Sequence, residues 1–556
     1  MKKFISLFLL ITALLSFNFA DTKDDLAERT AEWFKNNPNS MPHWMTPEEL
    51  ERVGDIGKYF VATDPPTGNV RQTAEFERMQ SVVVRYQFGI PLDLVKEMAE
   101  VTNVLTLIPR TADERTVIDL YVAAGVDTSK CEFLITPTDS YWTRDYGPWY
   151  VVDGNNEVGI CDFMYNRPRP NDDAIPSEVA PYLSEPYYGM SVVHTGGNYM
   201  TDGMGISAST TIVYEESLSS LGISSAEVDQ RMNDYLGIHT YHVVPDPNNE
   251  YIDHIDCWGK FLDVDKILIR EVPSFHPQYA EIEATAAYFA SQTSSYGAPY
   301  EIYRVNTPND EPYTNSLILN DHVYVPIVND ATNDAAALMV YEAAMPGYTI
   351  IPIAGLSDPY AWESTDALHC RTRGVIDKEM LHIYHIASPS DRSSTENYAI
   401  SAEISSYGGH TITAADLYYK VDNGNWNSLP MTVVKGTYTA TIPQQSNGAV
   451  VSYYIHSEDD SGRLENHPFI GEIDPHQFSV IGPLSSPVNL SVIANSNSAN
   501  IDWDDVGGAT IYRIYRSTDP YSGFSEIATS VTSDYTDNDV LTGSKYFYQI
   551  TADDSK

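Results

Sequence analysis

The sequence predicts an α/β body built from repeated strand–helix units, followed by two all-β sandwiches. Three observations carry that expectation. From residue 76 onward, β-rich runs alternate with runs of helical period, as in α/β layers. Beyond residue 388, short β-rich runs separated by hairpin signals take over. The chain of 556 residues is also too long for one core, so roughly three or four domains are expected.

Taken in order, residues 1–20 read as a secretory signal peptide. Lys2 and Lys3 precede an apolar run over residues 4–15, and small residues follow near Ala20. Such a run is too short to anchor stably in a bilayer. Cleavage is expected after Ala20, with a secreted or cell-surface protein as the result. No other stretch is long and apolar enough to cross a membrane. Residues 21–60 read as a helical segment or a removable pro-segment. A helix is expected over 24–35 with Leu26, Trp33 and Phe34 on its apolar side. Thr46-Pro47-Glu48-Glu49 is a capping box with Pro at the first helical position and predicts a second, short helix.

Residues 61–387 form the expected α/β body. Strands are expected over 81–86, 104–108 and 132–135, and helices over 91–101 and 113–124. The apolar run 348–353 reads as a buried strand. Residues 388–483 should form one β-sandwich, with strands over 417–421, 437–442 and 450–455 and a turn at Asn423-Gly424. Residues 484–556 should form another, of fibronectin type III kind, with strands over 487–490, 499–503, 512–516 and 546–552 and Trp503 as its buried Trp. Six strands fall short of the seven such a domain needs, so a truncated domain is the expectation, with another segment supplying the last strand as the alternative.

Hydrophobic content of 42% and charged content of 20% are ordinary, but the net charge of −44 is not. A chain this acidic should repel nucleic acid and anionic membranes. It favours cationic ligands, or keeps a secreted protein soluble. Four cysteines are too sparse for a disulfide scaffold, and no CxxC pair suggests zinc, so mostly free thiols are expected.

Five stretches carry candidate chemistry. Cys370 follows His369 and lies among cationic neighbours, which would favour a reactive thiolate; a small buried hydrophobe is the alternative. Trp142-Thr143-Arg144-Asp145 sets a carboxylate near an aromatic plane, a pairing suited to guanidinium or ammonium; the alternative is a surface Arg144–Asp145 turn. Arg167 and Arg169, separated by Pro168, can fork onto a carboxylate or form salt bridges with Asp172 and Asp173. Read as a strand, 251–261 places His254 and Asp256 on one face, fit for proton transfer, and Cys257 on the other. No second His cluster completes a metal site there. Asn315 precedes a strand at 317–319, and Gly196-Gly197-Asn198 permits close backbone approach; both are weak signals alone.

Together these stretches resemble one family. Trp-Thr-Arg-Asp-Tyr, Asn-Arg-Pro-Arg-Pro, His-Ile-Asp-Cys-Trp-Gly-Lys and Ala-Leu-His-Cys-Arg-Thr occur here in the order seen in bacterial peptidylarginine deiminases of the porphyromonad type, in the agmatine deiminase branch of the guanidine-modifying superfamily. The resemblance runs from about residue 76 to 386 and continues into the next domain. It implies a five-bladed α/β propeller of ββαβ units and an immunoglobulin-like domain behind it. It further implies Cys370 as nucleophile, Asp145 and Asp256 as holders of the guanidinium, and His254 as proton carrier. Asn315 would complete the catalytic group. Trp142 and Tyr251 would line the pocket, and Arg167 and Arg169 would grip the α-carboxylate of a C-terminal arginine. No metal or other cofactor is implied. The expected substrates are arginine-containing peptides or proteins, converted to citrulline and ammonia through a covalent thiouronium. Deimination of agmatine or free arginine, a Cys–His protease, and a secreted adhesin with an inert body are the competing readings. The β modules leave room for a cell-surface or extracellular partner.

Overall fold

The computed structural model describes residues 23–249, 252–355, 362–388, 391–482 and 484–553. The expected signal peptide and Tyr251 lie outside the described residues. Helices Lys23–Asn36 and Pro47–Leu50 lead in, the second closed by the expected capping box between Thr46 and Glu49.

The body then repeats one unit: an antiparallel hairpin, a helical crossover and a strand parallel to the second. Trp149–Val152 and Val158–Tyr165 pair antiparallel, helix Ile175–Leu183 crosses, and Tyr187–His194 returns parallel. The pattern recurs with Met200–Thr201, Ile206–Thr210 and Thr240–Val244, and with Gly259–Phe261, Lys266–Glu271 and Glu301–Asn306. It recurs once more with Leu317–Leu319, His322–Ile327 and Thr349–Ala354. The remaining sheet joins the ends of the body. Arg373–Ile376 pairs antiparallel with Met79–Arg85, which continues in parallel through Asn103–Ile108 and Cys131–Ile135.

Local chemistry explains these elements. Met79–Arg85 is almost wholly buried, and its run Val82-Val83-Val84 suits a strand covered on both faces. Helix Ser225–Leu236 starts at a capping box between Ser224 and Glu227 and stops at Gly237, where φ is 70°. There a Cβ would lie 1.9 Å from the Val70 carbonyl oxygen, so only glycine ends the helix this way. The expected strand at 348–353 is Thr349–Ala354, but only Ile353 is buried. It is the edge strand of its sheet, so its apolar run partly faces outward.

Behind the body, strands Leu381–Tyr384, Tyr398–Ser406, Thr437–Ile442 and Thr432–Val434 form one sheet. Arg392–Ser393, His476–Ile481, Val450–Asp459, Ile412–Val421 and Asn427–Pro430 form another. Leu417, Val451, Ile455 and Phe478 fill the space with Ile383 and Ile400. This β unit begins before residue 388, because Leu381–Tyr384 already pairs with Tyr398–Ser406. Arg78 ties the body to it through two bonds to Glu465 of 2.6 and 2.8 Å.

The last residues make two three-stranded sheets over a core containing Trp503, Tyr512 and Ile514. Its first strand is Ser491–Ala494, not 487–490, because the ladder partner of Ala499–Asp502 starts only at Ser491.

Candidate active site

The same position in each unit builds the site. Asp145 lies just before Trp149–Val152, Gly197 before Met200–Thr201, and Asp256 before Gly259–Phe261. Asn315 lies just before Leu317–Leu319 and Cys370 before Arg373–Ile376. Gly197 contributes no side chain for a steric reason. A Cβ there would lie 2.6 Å from both Asp145 Oδ1 and His254 Nδ1 and 3.3 Å from Asp256 Oδ2.

Cys370 is fully buried. Its Sγ lies 3.4 Å from Asp256 Oδ2 and accepts a 3.1 Å bond from Asn315 Nδ2. Asn315 Oδ1 accepts from the backbone N–H groups of Ala367 and His369 at 2.9 and 3.0 Å, which fixes the turn carrying the thiol. The cationic neighbours do not lower the thiol pKa as expected. Burial raises it well above its ordinary value, and Cys257 and Asp256 push the same way. His369 faces carboxylates, and Arg371 stacks with its Cζ 5.1 Å from the Trp142 ring.

His254 and Asp256 come together on a turn, not a strand. His254 immediately precedes the 3-10 turn Ile255–Cys257, and the strand starts only at Gly259. That turn also brings Cys257 to the Cys370 thiol instead of the opposite face. All four cysteines are free. His254 Nδ1 stands 3.6 Å from Asp145 Oδ1, and among the described residues neither atom has a hydrogen-bond partner, nor has His254 Nε2. Such buried polar atoms, a carboxylate oxygen and an imidazole with one donor and one acceptor nitrogen, call for partners from a ligand. Burial foremost lowers the His254 pKa to about 4, so the ring is neutral and can accept a proton. Asp256 goes the other way: burial disfavours its charge, but His369, His254 and Lys260 outweigh that and hold it down to about 2.

Below the thiol lies a network that the sequence reading missed. His369 Nδ1 is 2.7 Å from Asp256 Oδ2, and its Nε2 is 2.6 Å from Glu75 Oε2. Glu75 also meets Arg144 at 2.9 Å and Lys260 at 2.8 Å. Arg144 therefore pairs inward with Glu75 and makes no surface turn with Asp145. The signal available was the clustering of His369 and Lys260 inside the motifs; Glu75 stands in none.

The N-terminal segment covers the site. His43 is fully buried and stacks on Trp142, centroids 4.1 Å apart and planes at 10°. Its Nε2 is 2.7 Å from Asp145 Oδ2, and its Nδ1 bonds Asp366. Burial opposes charge on His43, but Asp366 and Asp145 outweigh it and carry the pKa up to about 10. Arg169 donates to Glu49 at 2.8 and 3.2 Å, and Arg167 Nε donates to the His43 carbonyl at 3.3 Å. Neither arginine bonds the aspartates that follow. Asp172 instead accepts from the backbone of Asp139 and Ser140, and Asp173 from that of Tyr165.

Ligand atoms of His43, Asp145 and His254 all lie within 4.8 Å of one another, a spacing that could hold a metal. His43, however, already satisfies both nitrogens on carboxylates. The arrangement offers a thiol, a neutral imidazole and two carboxylates around an aromatic face, which suits covalent chemistry on a planar cation. Among the described residues, no helix is long and apolar enough to cross a membrane.

Comparison with known proteins agrees with this chemistry. A Vibrio parahaemolyticus protein provisionally named an agmatine deiminase is 27% identical over 261 residues, which cover 39% of this chain and 71% of that one. A Legionella pneumophila protein with the same provisional name is 23% identical over 267 residues, 44% of this chain and 74% of that one. A solved structure, also provisionally an agmatine deiminase, shares the fold at a TM-score of 0.51 and 17% identity, covering 57% of this chain and 99% of its own. The family profile described as Porphyromonas-type peptidyl-arginine deiminase matches residues 73–375, more than half of the sequence. The chain belongs to that family, whose members are hydrolases of the C–N bonds of guanidino groups.

Proposed function

We propose that this protein deiminates arginine at the C-terminus of peptides, releasing citrulline and ammonia. One observation carries the choice of substrate: two buried arginines, Arg167 and Arg169, stand beside the segment that fills the Trp142–Asp145 pocket, and one already holds a carboxylate in a two-pronged grip. Agmatine has no carboxylate and would make no use of either arginine.

In this reading the guanidinium lies on Trp142 with its N–H groups on Asp145 and Asp256. Its positive charge offsets what raises the Cys370 pKa, so substrate binding helps to form the thiolate. The Cys370 proton passes to His254. Sulfur attacks the guanidinium carbon, and the tetrahedral adduct expels one nitrogen, which takes the proton from His254 and leaves as ammonia. The thiouronium remains. His254 then removes a proton from water, hydroxide adds to the same carbon, and the C–S bond breaks to give citrulline and the free thiol. Gly197 keeps the space between the two carboxylates open.

The five sheets are read as blades of an α/β propeller, with the site where their leading loops converge. The β units are read as an immunoglobulin-like and a fibronectin type III domain, and the protein as secreted. The acidic surface is compatible with cationic peptide substrates.

The test incubates the protein with a peptide ending in arginine, its amidated form, agmatine and free arginine, following citrulline, carbamoylputrescine and chain cleavage. Citrulline from the first peptide alone is the expected result. Turnover of agmatine in preference to that peptide would overturn the reading in favour of agmatine deimination.

A further inference from the structure

Taking the pocket as the arginine site proposed above, we propose that it has a built-in ligand. Residues 41–49 are an internal pseudosubstrate, with the His43 ring in the place of a guanidinium and the Glu49 carboxylate in the place of an arginine α-carboxylate. The full chain is therefore mostly latent, turning over slowly through the small fraction of molecules whose segment has left the site.

Side-chain chemistry matches at both ends. His43 is a planar ring stacked on Trp142 at 4.1 Å, with an N–H group directed at Asp145 Oδ2 2.7 Å away. Glu49 is a buried carboxylate gripped by Arg169 at 2.8 and 3.2 Å, and no cation of its own segment neutralises it. The elevated pKa of His43 means that the ring carries charge at neutral pH, as a guanidinium would.

The backbone on either side of His43 is read carbonyl by carbonyl. The Met41 carbonyl accepts from Trp142 Nε1 at 3.1 Å, and that of Pro42 from Arg169 at 2.6 Å. The His43 carbonyl accepts from Arg167 at 3.3 Å, and that of Trp44 from Arg169 at 3.1 Å. Every donor is one assigned above to substrate. The imidazole cannot react as a guanidinium does, because it has no exocyclic nitrogen to expel.

The cover is also built to be separable. Trp33 and Trp44 pack with Tyr141, Trp142 and Cys370 in a small cluster of their own, apart from the two large cores of the body. Past the short helix the chain runs along the surface, with Tyr59 69% and Val61 63% exposed. Release of the segment would open the thiol without dismantling either core.

The experiment uses full-length wild type and its His43→Ala, Glu49→Gln and double variants. Each is reacted with 2-chloroacetamidine, a small amidinium alkylating agent, and modification of Cys370 is followed by peptide mass spectrometry. Buried Cys161 reports loss of the fold in the same samples. Opening a site that is rarely free raises its apparent reactivity by the inverse of the open fraction, so Cys370 labelling should rise about tenfold or more in His43→Ala and further in the double variant. Cys161 should stay unmodified. Equal Cys370 rates in all forms, or parallel labelling of Cys161, would overturn the proposal. The readout needs no turnover. If Cys370 opens but no arginine substrate is consumed, the latch stands and the substrate reading falls. If wild type deiminates the peptide as fast as His43→Ala, the latch falls and the substrate reading stands.

Discussion

Asn315 and Cys370 are joined twice. The amide nitrogen lies 3.1 Å from Sγ, and the amide oxygen accepts the Cys370 backbone N–H at 3.3 Å. One side chain thus donates toward the nucleophile and fixes the turn that carries it. Asn315→Asp keeps the acceptor and removes the donor, placing negative charge beside a thiol that must ionise. We expect kcat to fall about a hundredfold with KM little changed. Steady-state kinetics on a C-terminal arginine peptide, with thermal melts to establish folding, provide the check; undiminished kcat refutes the role.

Cys370→Ala should abolish citrulline formation, whereas Cys257→Ala should retain activity within about tenfold of wild type. Cys257 raises the Cys370 pKa by hydrogen bonding, so its removal should shift the thiol pKa downward. The pH dependence of Cys370 alkylation in an opened His43→Ala background reads that shift directly. Persistent turnover without Cys370 would refute it as nucleophile.

Arg167→Ala and Arg169→Ala should each raise KM for a C-terminal arginine peptide by about ten- to a hundredfold, with a smaller loss of kcat. Amidating the peptide should reproduce the effect on wild type and add little in the variants. Equal use of internal and C-terminal arginine would show that the pair serves another purpose.

His369→Gln should lower kcat by about ten- to a hundredfold without touching substrate directly, because His369 links the Asp256 carboxylate to Glu75. Asp256 is held down to about 2 chiefly by that imidazole, so the variant should move the acid limb of the kcat profile upward. A loss of stability with an unmoved acid limb would mark a purely structural role.

Attachment of the N-terminal segment should weaken as pH rises. His43 ionises near 6.5 when free and at about 10 in place, so its contribution is complete below about 6.5 and lost on the way to about 10. Asp145, Asp366, His254, Arg167 and Glu363 face it, and Arg371 and Arg29 act on Glu363. Asp145, with its lowered pKa, stays charged throughout that window. Hydrogen exchange across residues 40–50, corrected for intrinsic rate, should lose protection between pH 6.0 and 9.5; constant protection would contradict the assignment.

Periodicity and motif sufficed for much of this protein. The capping box at Thr46, the strands and helices from Met79 to Ile135 and the buried Trp503 follow from local rules that act within a few residues. The motif residues Asp145, His254, Asp256, Asn315 and Cys370 could be named because each keeps its own short signature. Their convergence could not be read locally: five loops from five sheets meet, and only the pairing of Arg373–Ile376 with Met79–Arg85 brings the late Cys370 to the early strands. The turn at Ile255–Cys257 escaped a strand reading because side-chain alternation does not register a local 3-10 bend. The direction of the Cys370 pKa depended on burial and on which charges face sulfur, neither of which sequence neighbours specify. The same holds for His43 and Glu49. Nothing in Met41-Pro42-His43-Trp44 announces a cation, since an isolated histidine is mostly neutral at pH 7. It is Asp145 and Asp366, carried there by distant parts of the fold, that make His43 one.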